Sequence, residues 1–114
     1  MTRAELEEKL IELAKEIRTA TDNYSHLARE HAEKDHVYRK AKAIAYLATS
    51  GTVPERTAYV DKACDGERLN AHLSDALREA AKERLRALQA ELSAFQSVVG
   101  MYKAEAQIAG RYGE

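Results

Sequence analysis

The sequence predicts an all-α protein, a long antiparallel helical hairpin of coiled-coil character forming one domain over residues 1–114. Three observations predict it. Helix breakers are scarce, one Pro and five Gly in 114 residues, and the one place where they cluster, with hydroxyl residues, is Thr49, Ser50, Gly51, Thr52, Val53 and Pro54. Apolar residues on both sides of that cluster recur at alternating spacings of four and three, the spacing of a helix–helix seam. Two capping boxes mark helix starts, Thr2 with Glu5 and Thr52 with Glu55, each pairing an N-cap hydroxyl with a carboxylate three residues on.

The first helix is expected over about residues 2–49. Its seam is Leu6, Leu10, Leu13, Ile17, Ala20, Tyr24 and Leu27. Beyond Leu27 the pattern degrades, because residues 29–36 are almost wholly polar, and an irregularity is expected there. The turn occupies about residues 49–54, with Pro54 tolerated in the first turn of the second helix. That helix is expected over about residues 53–109, with the longer seam Ala81, Leu85, Leu88, Leu92, Phe95, Val99, Tyr102, Ala106 and Ala109. Gly110 and Gly113 suit its stop. A break is possible near residues 64–67, where Cys64-Asp65-Gly66-Glu67 combines weak helix formers. In that case residues 52–64 make a short helix of their own.

Counting outward from a turn centred near residue 51 places Leu6 opposite about position 97 and Leu27 opposite about position 76. The second helix is then the longer one. Its last turns, with Val98, Val99, Met101, Tyr102 and Ile108, have little to pack against inside the chain. Two helices cover only one stripe of each other, so self-association is expected, with Phe95, Val98, Val99, Met101, Tyr102 and Ile108 as the homo-oligomer contact.

With 18 Lys+Arg against 19 Asp+Glu, the chain lacks the excess charge of a polybasic binder. It has no apolar run long enough to span a membrane, so no membrane partner is expected. A single cysteine and an acidic start lead to the expectation of a reducing, cytoplasmic setting. Charge is nonetheless uneven. Residues 1–35 carry 6 basic and 9 acidic side chains, whereas residues 36–62 carry 5 basic and 2 acidic. The cations of this tip are Arg39, Lys40, Lys42, Arg56 and Lys62, interleaved with Tyr38, Tyr46 and Tyr59. Taking Val37, Ala41, Ile44 and Ala48 as the local apolar stripe puts Arg39, Lys42 and Tyr46 together on the solvent face. Cations that track phosphates beside a ring that stacks on bases are what sequence-independent single-strand binding uses. Such a patch is also compatible with an ordinary solvated face carrying a snorkelling tyrosine. The candidate nucleic-acid residues are Arg39, Lys40, Lys42, Tyr46, Arg56 and Lys62.

No metal, cofactor or small-molecule substrate is expected. His26, His31 and His36 are five residues apart, which swings successive rings by about 140° around a helix rather than stacking them for a shared ion. His31 is expected in a surface pair with Asp35, and His72 has no evident partner. Cys64 is expected to be a buried or bystander thiol. The chain holds no glycine-rich phosphate loop, nucleophile elbow or paired-carboxylate arrangement, so no catalytic residue is assigned and no enzymatic activity is expected.

In the order of its features the chain resembles small phage-encoded helical proteins and, more distantly, the UvsY-type recombination mediators of T-even phages. The residues that carry the likeness are Tyr24-Ser25 in the first helix, the run Arg39-Lys40-Ala41-Lys42 leading into Tyr46, and the Ser50-Gly51 turn. Glu91-Leu92-Ser93-Ala94-Phe95-Gln96-Ser97 followed by Tyr102-Lys103-Ala104-Glu105 is similar to the closing pattern of these proteins. The resemblance implies a multimeric recombination accessory factor in the cytoplasm of the host cell. Such a factor binds single-stranded DNA and helps a recombinase displace single-strand-binding protein, without turnover. It implies Arg39, Lys40 and Lys42 as the DNA-contacting run and the C-terminal helix as the oligomer element. The basic residues stand at other distances from the turn than in that family, and this chain is shorter and less basic. The alternative is a coiled-coil adaptor, an assembly or inhibitor protein that binds another protein through its apolar seam.

Overall fold

The structure is a computed structural model and describes residues 2–112. Among these residues there are three helices and no strand: α1 (Arg3–Ala48), α2 (Val53–Ala63) and α3 (Asp65–Tyr112). The all-α, hairpin-like class is therefore as expected. The break near residue 64 is real but slight, since Cys64 alone separates α2 from α3. Its N–H donates to the Val60 carbonyl at 2.9 Å and its carbonyl accepts from the Arg68 N–H at 2.9 Å. α3 runs through Gly110, the expected stop, to Tyr112. A glycine weakens a helix by only about 1 kcal/mol and need not end it. Gly113 lies outside the described residues.

Both capping boxes form in part or in full. Thr2 and Glu5 exchange reciprocal 3.2 Å bonds between backbone N–H and side-chain oxygen. At Thr52 the hydroxyl accepts from the Glu55 N–H at 3.4 Å, with Pro54 in the first turn. Gly51 sits at φ 117°, a left-handed conformation that reverses the chain between α1 and α2.

The chain forms two compact units, one joining the chain up to Asp22 with the chain from Glu83 on, the other being Asn23–Lys82. The first unit is held by leucines. Leu13 is almost wholly buried and clusters with Ala20 and Leu88, and Ile17, Leu85 and Phe95 pack against them. Lys9 and Glu91 approach to 3.9 Å at the edge of this seam. Nearer the helix ends, Leu6, Leu10, Val99, Tyr102 and Ala106 line a groove of about 450 Å³. α1 and α3 therefore run antiparallel, with Leu6 and Val99 lining the same groove.

The unpartnered tail is corrected by this register. Phe95 packs on the intramolecular cluster, Val99 is half-buried, and Tyr102 lines the groove shared with α1. Val98, Met101 and Ile108 remain exposed. Arg3, at the start of α1, lines that groove together with Lys103 and Ala106, so α1 flanks α3 as far as Ala106.

The second unit keeps the 4/3 register with different chemistry. Its buried line is Val60, Cys64, Ala71, Ser74 and Ala81. On α1, His31, Tyr38, Ala41 and Ala45 are half-buried at matching spacing, and His31 meets this line at Ser74. The irregularity expected within residues 29–36 does not occur, because α1 is continuous there. The polar seam residues find partners across the interface, and a satisfied polar group leaves helix geometry undisturbed. Ser74 Oγ donates to the Ala71 carbonyl at 2.8 Å and lies 3.0 Å from His31 Nδ1. Both ring nitrogens of His31 are engaged, Nδ1 by Ser74 Oγ and Nε2 by Asp75 Oδ1 at 3.6 Å. The expected His31–Asp35 pair is therefore overturned: His31 occupies a seam position, and Asp35 pairs instead with Arg39.

Candidate nucleic-acid interface

The basic segment is the last quarter of α1. The apolar stripe expected to anchor it is not the buried one, since Val37 is 55% and Ile44 59% exposed. The seam is already set by His31 and continues at 4/3 spacing through Tyr38, Ala41 and Ala45. The face expected for the cations nevertheless exists. Arg39, Lys42, Ala43, Tyr46 and Leu47, spaced i, i+3, i+4, i+7 and i+8, line one shallow depression of about 460 Å³.

The six candidate residues differ in what they already hold. Arg39 Nε pairs with Asp35 at 2.9 Å while its side chain stays largely exposed. Lys42 Nζ lies 5.8 Å from the Tyr38 ring centroid, a cation–π approach. Lys40 and Lys62 are exposed and form no ion pair among the described residues, but neither lines the depression. Tyr46 is more than one-third exposed, and the Arg56 guanidinium stacks over its ring at 4.2 Å. Arg56 also donates to the Tyr46 carbonyl at 3.0 Å. That carbonyl belongs to the last turn of α1, where helix geometry leaves acceptors without partners. Arg56 is thus a half-buried clasp that caps α1 from α2 and fixes the Tyr46 ring, rather than a free cation.

A second polar constellation was missed in the sequence. Arg78 donates to Asp75 at 2.7 Å and to Glu79 at 2.8 Å, and Tyr24 of α1 lies close enough to influence its guanidinium. The hydrogen bond from Arg78 holds the Asp75 carboxyl below the usual carboxylate range, and His31 acts in the same direction. Hydrogen bonding to Asp75 in turn holds the Arg78 guanidinium above its ordinary value. The available signal was periodic: Tyr24, His31 and Tyr38 extend the α1 seam at seven-residue steps, as Ala71, Arg78 and Leu85 do on α3.

Cys64 is 3% exposed, as a buried thiol should be. Among the described residues no group of three or more His, Cys, Asp or Glu is placed to hold a metal ion, and no helix is long and apolar enough to cross a membrane. Comparison with protein-family models, with curated proteins and with solved structures returns no match.

Proposed function

We propose that this chain is a non-enzymatic, self-associating helical protein that binds single-stranded nucleic acid through the face of α1 around Tyr46. In this reading it serves recombination as the resembling phage mediators do. The observation that supports it is the gathering of Arg39, Lys42 and Tyr46 on one exposed depression, with Lys40 beside them and no acidic residue between Asp35 and Glu55. Cations on one helix face follow successive phosphates, and a tyrosine held by Arg56 is a ring on which a base stacks without ordering a loose side chain first. The Arg39–Asp35 pair is solvated and yields readily to a phosphate.

The test is binding to a fluorescent single-stranded oligonucleotide over a salt series. Neutralising about three phosphates per chain gives a log–log salt slope of about −2. The variant R39E/K40E/K42E should abolish binding while circular dichroism stays unchanged, because all three side chains are solvent-facing. Salt-insensitive binding, or none, refutes the reading. One observation favours a second reading, a protein-binding adaptor: Leu69, Leu73 and Leu77 are each more than half exposed. Failure of the oligonucleotide test in a protein whose Leu69, Leu73 and Leu77 stay free of self-association would support the adaptor.

A further inference from the structure

The second unit is apolar on the wrong side of α3. Its seam runs through Ala71, Ser74, Arg78 and Ala81, while Leu69 and Leu73 are each 55% and Leu77 56% exposed on the far side. Leu69, Leu73, Ala76 and Ala80 repeat at spacings of four, three and four, and all are exposed. That is a second helix-packing stripe, roughly opposite the one α1 covers. Surface area points the same way. The chain exposes 8652 Å², roughly 2,400 Å² more than the roughly 6,300 Å² usual for a folded monomer of this mass. A standard interface covers about 800 Å² per partner, and obligate homodimers cover more. The surplus is ample for one.

We propose that the outer face of α3 in this unit packs antiparallel against the same face of a second copy, about a two-fold axis between Ser74 and Asp75. In this register Leu69 lies opposite the partner's Ala80 and Leu73 opposite the partner's Ala76, so large side chains meet small ones along the whole stripe. By symmetry each contact occurs twice. At the flank, His72 meets the carboxylate of the partner's Glu79. A parallel pairing places leucine on leucine and alanine on alanine along the stripe, so shape selects the antiparallel arrangement. The site is independent of the α1 face proposed for nucleic acid, and its test contains no nucleic acid.

The experiment is the mass of the protein in solution across the micromolar range, for the wild type, L73E and M101E, with circular dichroism of each. The wild type should be a dimer or a higher assembly containing one. L73E should lose that contact with its helicity intact, since Leu73 is already more than half exposed, and M101E should keep it. Direction is read by disulfide capture in a Cys64→Ala background. L69C mixed with A80C should cross-link, and L69C alone should not, because its two copies are about 16 Å apart along antiparallel helices. A monomeric wild type, assembly lost in M101E but kept in L73E, or self-cross-linking of L69C would each overturn the proposal. Should L73E lose helicity, A76E takes its place with the same criterion.

Discussion

Replacing Leu13 by Ala while replacing Ile11 by Ala in a sister variant separates the seam from mere apolar content. Both remove an aliphatic side chain from the same turn of α1, yet Leu13 is 1% exposed and Ile11 57%. Three buried carbons at about 0.8 kcal/mol each give about 2.4 kcal/mol for Leu13. Incomplete collapse of the space between Ala20, Leu88 and Phe95 adds to this, for a total of about 3 kcal/mol, within the usual range for such changes. An unfolding entropy of about 2.1 cal/mol/K per residue makes 1 kcal/mol worth about 4 °C in a chain of this length, so Tm should fall by about 12 °C. Ile11→Ala loses half-solvated surface but gains helix propensity, and its net change should stay within about 0.5 kcal/mol. Thermal and urea unfolding followed by circular dichroism at one protein concentration measure both. Equal losses would refute the 4/3 seam as the feature that holds the first unit together.

Acid should act on the second unit through Asp75. Because its carboxyl titrates below the ordinary value when folded, the stability it contributes is present above about pH 4 and is lost as pH falls through the folded value. Asp75→Asn should therefore flatten the acid limb of a stability–pH curve below about pH 4, and an unchanged limb would remove Asp75 from the network. At the turn, Gly51→Ala should destabilise by about 1 kcal/mol or more, since φ 117° strains any Cβ. The added Cβ would also meet Glu55 Oε2 at 2.5 Å, displacing that side chain. Chemical denaturation should show it, and an unaltered midpoint would mean the turn relaxes freely.

Periodicity and punctuation in the amino-acid sequence determined the class, the turn at Gly51, both capped helix starts, the pause at Cys64 and the seams from Leu6 to Leu27 and from Ala81 to Val99. These are local or nearly local properties: a hydroxyl reaches an N–H three residues away, and a 4/3 apolar spacing makes a stripe whatever it packs against. Tertiary structure alone decided which stripe faces inward where the two signals compete. Val37 and Ile44 read as core, yet they are exposed. His31 read as surface, yet it lines the interface beside Ser74. Within the second unit, the helix face that turns Ala71, Ser74 and Arg78 inward leaves Leu69, Leu73 and Leu77 outward, and the polar side chains that fall inward pair across the gap. Arg56 reaches Tyr46, a contact ten residues apart that no spacing rule predicts, because its geometry exists only once the chain has reversed at Gly51.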